Sequence, residues 1–89
     1  FKTMMLCYEC MEVVKAMAEI GNPNSVTDAG VGALAARSGV IGAFLNVKIN
    51  AAGLDGKEYA NDIISRGEKV VEMAKQMETD ILNIVNSKI

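Results

Sequence analysis

The sequence predicts an all-α fold, a bundle of long antiparallel helices, on three observations. Apolar residues recur at alternating steps of three and four in the first and last thirds of the chain. The middle third is apolar nearly all round, as expected of a helix central in its bundle. The composition is 51% hydrophobic but only 4% aromatic, so burial must come from Ile, Val, Leu, Met and many Ala, enough for a globular chain and too much for disorder. Eighty-nine residues allow one domain at most.

In the first segment Leu6, Cys10, Val13, Met17 and Ile20 form one helix face, with Glu9, Glu12, Lys15 and Glu19 on the other side. Gly21 ends this amphipathic helix. The following "GNPNSVTD", residues 21–28, reads first as a helix start. Asn22 can cap, Pro23 fits the first helical position, and Asp28 is close enough to favour the positive end. A cap alone does not account for Asn22, Asn24, Ser25 and Asp28 standing so close together.

The middle segment, roughly residues 23–52, carries Gly30, Gly32, Gly39 and Gly42 inside a helical pattern. Each interior Gly costs about 0.5–1 kcal/mol relative to Ala, and close backbone approach to another helix is the usual reason. At 3.6 residues per turn Asp28 and Asn46 lie about five turns apart and point the same way. Gly32, Ala35, Gly39, Gly42, Asn50 and Gly53 fall within about 40° of that line, and Arg37 and Lys48 fall opposite. The stripe is therefore small throughout, with Asp at its start and two Asn near its end. It fits a tight helix–helix seam whose polar groups bond one another, and it fits equally a floor for a flat ligand with Asp28, Asn46 and Asn50 as polar contacts. In either case a buried Asp28 would need a partner.

The third segment starts at "LDGKE", where Asp55 as cap and Glu58 three residues on resemble a capping box. Ala60, Ile63, Gly67, Val70, Ala74, Met77, Ile81 and Ile84 then hold the same alternation, with Glu68, Glu72, Lys75 and Glu78 in the gaps. A helix from Asp55 to the end would be about 50 Å long, whereas a compact domain of this size has a radius of gyration of about 12 Å. The helices should overhang one another unless more protein lies beside them, so the chain is expected to oligomerise or to belong to a larger helical assembly.

Nine basic and eleven acidic residues give a net charge of −2 and no basic face, which argues against nucleic acid as a partner. Asp28, Arg37, Asn46, Lys48 and Asn50 interrupt the apolar middle, so no membrane span is expected, and no signal-peptide pattern opens the chain. A cytoplasmic setting is the expectation. The opening on Phe1 without a Met is expected of a cleaved product or a partial chain. Cys7 and Cys10 spell C-x-x-C, but zinc would need two further ligands and the chain has no His and no third Cys. A redox pair would be expected after a strand, and none precedes it. Two small, soft helix residues is the reading, with no metal site.

"GNPNSVTDAGVGALAARSGVIGAFLNVKIN" resembles the signature region of the formimidoyltetrahydrofolate cyclodeaminase / methenyltetrahydrofolate cyclohydrolase family. The matching pieces are Asn22, Ser25 and Asp28 in the Gly-Asn…Ser…Asp pattern and Asn46 and Asn50 in "NVKIN". The flanking helices resemble the C-terminal half of the family's domain, so residues 1–89 read as one helical segment of it. The resemblance implies an all-α bundle assembled as dimers, with a tetrahydrofolate derivative as substrate and neither metal nor nucleotide as cofactor. The implied reaction closes a ring: N10 of 5-formimidoyltetrahydrofolate attacks the formimino carbon and ammonia leaves, giving 5,10-methenyltetrahydrofolate. The related cyclohydrolase opens that ring with water, and a helical assembly module without catalysis is the other class of reading.

This chemistry needs groups to take and give protons and a polar setting for a cationic adduct. The family's first half carries a glycine-rich "GGGS"-type turn and the aspartate usually assigned as catalytic, and neither is in this sequence. The implied acid/base is thus unassigned here, and the isolated chain is expected to be inactive. What the resemblance carries over is a substrate-binding wall of Asn22, Asn24, Ser25, Asp28, Asn46 and Asn50. Asp28 would orient or charge-balance the formimino or ring nitrogens, and the Asn side chains would hold polar edges of the pterin. The implied partners are the first half of the same domain and a second copy.

Overall fold

The computed structural model describes residues 1–89, with the side chains of all but Pro23 and Asn24. It consists of α1 (Lys2–Ile20), α2 (Pro23–Ala52) and α3 (Lys57–Lys88), with no strand among the described residues. The helices run up, down and up. Gly30 lies against Val85 while Phe44 lies against Gly67, so α2 and α3 are antiparallel. Gly32 meets Val14 and Gly39 meets Cys7, so α1 and α2 are antiparallel too. The bundle is a rod of 51 × 14 × 14 Å with a radius of gyration of 15.0 Å, above the compact value of about 12 Å. The expected long helices are present.

Two core clusters stack along the rod. Met4, Tyr8, Met11, Val40, Phe44, Val47, Val70 and Ala74 form one, and Ala18, Val26, Ala29, Ala33, Ile81 and Val85 form the other. Met77 packs against both. Between them Arg37 Nε of α2 lies 3.3 Å from Glu78 Oε2 of α3. The two atoms are buried and not aligned as a hydrogen bond, so the contact is an ion pair. Arg37 thus faces α3, opposite the small stripe, as the residue count requires.

Three expectations need correction. The apolar face of α1 read from the sequence points outward: Leu6, Val13, Met17 and Ile20 are 54%, 61%, 56% and 86% exposed, and Cys10 is exposed as well. The buried face is Met4, Tyr8, Met11 and Ala18, which recurs with the same helical period on nearly the opposite side. α1 is apolar on two sides, and periodicity alone does not say which side meets this chain.

The start of α3 also differs. Gly56 is the N-cap, with no side-chain cap bond, so Asp55 lies one residue outside the helix and the Asp55–Glu58 box does not form. Finally, Ser25–Ala52 is long and apolar enough, by length and composition, to cross a membrane. Arg37 is the one charge between Asp28 and Lys48, and it falls midway. The central helix of a bundle passes the same test. Only 28% of the apolar stretch is buried inside this chain.

The glycines divide by what surrounds them. A Cβ at Gly67 would lie 2.6 Å from Phe44 Cδ1, and one at Gly21 would lie 2.9 Å from the Met17 carbonyl oxygen. Those two positions require glycine. In α2, Gly39 approaches Cys7 Sγ closely, Gly30 and Gly32 make ordinary contacts, and Gly42 meets nothing within 4 Å. Close approach therefore accounts for Gly39 but not for Gly42.

Candidate functional site

At the α1–α2 turn Asn22 and Ser25 build a reciprocal cap. Ser25 N–H donates to Asn22 Oδ1 at 3.1 Å, and Asn22 N–H donates to Ser25 Oγ at 3.1 Å. The Ser25 hydroxyl can also donate to Asn22 Oδ1 or O, at 3.3 and 3.2 Å. This is a capping box with Asn at the cap and Ser three residues on, and it engages Asn22 Oδ1 and the Ser25 hydroxyl. Lys88 Nζ at the end of α3 donates to the carbonyls of Glu19 and Gly21, satisfying orphan acceptors at the end of α1. Asp28 is exposed one turn into α2, and the side chain of Asn24 lies outside the described residues.

Asn46 and Asn50 stand near the other end of the rod. α2 is one uninterrupted helix, so Asp28 and Asn46 are about 27 Å apart along its axis at 1.5 Å per residue. They share a side of the helix but do not converge. The six sequence-derived residues therefore fall into two groups, a capped helix start and a pair of amides.

The amide pair lies in a groove. Between the first half of α1 and the second half of α2 runs an open trough of about 470 Å³, lined among others by Thr3, Cys7, Gly39, Gly42, Asn46 and Asn50. Its volume is in the range of small-molecule sites. Gly39 and Gly42 keep its floor low, and the exposed Asn46 and Asn50 amides edge it. Each amide offers two donors and an acceptor with two lone pairs, which suits the alternating donor and acceptor edge of a flat heterocycle.

A second groove of about 280 Å³ continues from the first and shares Phe1, Val47 and Asn50 with it. Leu54, Tyr59 and Ile63 complete it. Sequence reasoning did not place Phe1, Cys7 or Tyr59 at a binding site. The available signal was aromatic scarcity: of two Phe and two Tyr, Tyr8 and Phe44 are buried in the core, while Phe1 and the 62% exposed Tyr59 line this groove. Among the described residues no group of three or more His, Cys, Asp or Glu is placed to hold a metal ion.

Comparison with known proteins matches this sequence to a family. The profile described as "Formiminotransferase-cyclodeaminase" matches residues 1–80. A methenyltetrahydrofolate cyclohydrolase of Methylorubrum extorquens is 36% identical over 84 residues, which is 94% of this chain and 40% of that protein. The chain therefore spans well under half the length of this curated relative. No solved structure matches. With a family match across most of its length and a sequence relative aligned through all three helices, the chain belongs to the formiminotransferase-cyclodeaminase family.

Proposed function

We propose that this chain forms one wall of a site where the one-carbon bridge between N5 and N10 of a tetrahydrofolate is opened or closed. The observation that carries the reading is the groove in which Asn46 and Asn50 edge a floor of Gly39 and Gly42, in a chain of this family. The cyclohydrolase direction is favoured by the 36% identical relative. Water adds to the bridging carbon of 5,10-methenyltetrahydrofolate and loses a proton. The tetrahedral adduct then collapses with cleavage of the carbon–N5 bond, N5 is protonated, and the formyl group remains on N10. The second reading is supported by the family's description: N10 attacks the formimino carbon of 5-formimidoyltetrahydrofolate and ammonia leaves. Both pass through a tetrahedral carbon held by the same two nitrogens, so one binding wall serves both.

Asn46 and Asn50 bind and orient the pterin edge. The lining of the groove contains no carboxylate, so on this reading proton transfer falls to the remainder of the domain, for which the outward stripes of α1 (Leu6, Val13, Met17) and α2 (Val31, Leu34, Leu45) offer exposed apolar surface. Asp28 reaches a ligand in the Asn46 groove only from a second copy, which gives homo-oligomerisation a place in the site. A cytoplasmic setting belongs to the same reading.

The test uses the assembled protein, this chain together with the remainder of the domain, assayed for loss of the methenyl chromophore and for ammonia release. Asn46→Ala should lower kcat/KM about ten- to hundredfold, the weight of one or two hydrogen bonds to a charged ligand. Its melting temperature should hold, because the side chain is exposed in this chain. Asp28→Asn should lower turnover as well. Full activity of both variants on both substrates would sink the proposal and leave the helical assembly module in its place.

A further inference from the structure

Resting on the folate reading above, we infer that the second groove holds the p-aminobenzoyl arm of the substrate and that Asn50 marks the reacting bridge. The first groove is polar-edged with a low floor, fit for a flat heterocycle. The second, lined by Phe1, Leu54, Tyr59 and Ile63, is apolar and aromatic, fit for a benzene ring. The two are continuous, and Asn50 is the polar side chain common to both. A tetrahydrofolate has the same order of parts: a pterin, then the N5–N10 bridge, then a p-aminobenzoyl ring, then an anionic glutamate.

Seating the pterin against Asn46 and the ring against Tyr59 sets the bridge beside the Asn50 amide. There its carbonyl oxygen can face a cationic bridging carbon, or its N–H groups the hydroxyl of the adduct. Arg66 stacks over the ring of Phe1, a residue common to both grooves, with its guanidinium carbon 5.0 Å from the centroid. It is 55% exposed and lies 3.7 Å from Asp62.

The glycine without contacts supports the same orientation. Gly42 faces open space in this chain, on the floor of the first groove. A methyl group there would rise into the volume assigned to the pterin and leave the ring groove untouched.

The experiment reads inhibition of the assembled protein by two fragments, 6-methyltetrahydropterin and p-aminobenzoylglutamate. Tyr59→Ala should raise KM for the folate substrate about three- to tenfold, the worth of an aromatic contact. It should weaken inhibition by p-aminobenzoylglutamate and leave inhibition by 6-methyltetrahydropterin unchanged. Asn46→Ala should do the reverse, and Asn50→Ala should lower kcat more than it raises KM. The inference is overturned if Tyr59→Ala changes neither KM nor p-aminobenzoylglutamate inhibition. It is also overturned if Tyr59→Ala lowers the melting temperature while kcat/KM holds, which would mean that protein covers the groove. In both cases a retained effect of Asn46→Ala on the pterin fragment would keep the folate reading standing. Loss of both effects would remove that reading as well.

Discussion

The contact between Phe44 and Gly67 offers the sharpest test of the packing. Phe44 is 8% exposed and belongs to the larger core cluster. Its ring lies where a side chain at position 67 would begin: a Cβ there would be 2.6 Å from Cδ1 and closer still to Cε1. Gly67→Ala therefore forces the ring or the α2–α3 spacing to shift, and overpacking of this kind costs about 1–3 kcal/mol. Replacing Gly by Ala inside a helix returns about 0.5–1 kcal/mol. The net expectation is a loss of up to about 2.5 kcal/mol, centred near 1 kcal/mol. In a domain of this size each kcal/mol moves Tm by about 4–8 °C, so the loss is well within reach of urea or thermal denaturation followed by circular dichroism.

Gly42→Ala is the internal control, because its Cβ would meet nothing within 4 Å. The same chemical change should there stabilise the chain by about 0.5–1 kcal/mol. Adding Phe44→Leu to Gly67→Ala should recover part of the lost stability, since residues in contact are energetically coupled. A Gly67→Ala chain as stable as the parent, or a Gly42→Ala chain that loses as much, would refute the α2–α3 packing described here.

Other perturbations separate cap, ion pair and helix end. Asn22→Ala should cost about 1 kcal/mol by leaving the first amides of α2 unsatisfied, and hydrogen exchange should quicken in the first turn of α2 ahead of its middle. Arg37→Met alone should destabilise the chain by leaving Glu78 half-buried without its partner, while Arg37→Met with Glu78→Met should regain much of the loss in a double-mutant cycle. Equal stability of the single and double variants would remove the ion pair from the core. Lys88→Ala should loosen the last turn of α1, read as faster exchange there and unchanged exchange around Val70.

The three helices were legible because their boundaries are marked by local chemistry. The ends of α1 and α2 fall at Gly21 and Ala52, and the Asn22 cap forms as its residue type suggests. The α3 stripe was equally legible: Ala60, Gly67, Val70, Ala74 and Ile81 are buried, Ile63, Met77 and Ile84 are half-buried against the core, and Val85 joins them. The α1 face was not, because Leu6–Ile20 and Met4–Ala18 are two apolar stripes on one helix and the choice between them is made by tertiary contact. The candidate site was half legible. A helical repeat tells that Asp28 and Asn46 share a side, but the polar groove exists only because α1 runs beside the end of α2, and its aromatic continuation only because Phe1 and Tyr59 meet there.

The Arg37–Glu78 pair also limits how far α2 and α3 can slide. The Phe44 ring seated over Gly67 already opposes such sliding, since one heptad out of step it would meet Ala60 or Ala74. In such a slip Arg37 would stand against Val71 or Val85 instead of Glu78. An unpaired charge between the two core clusters is costly. The pair therefore adds a charge-based penalty against slipped registers to the shape fit of Phe44 over Gly67. Because α2 carries Asn46 and Asn50 while α3 carries Tyr59, the register these contacts hold also sets the distance between the amides and the ring that a bound molecule would have to span.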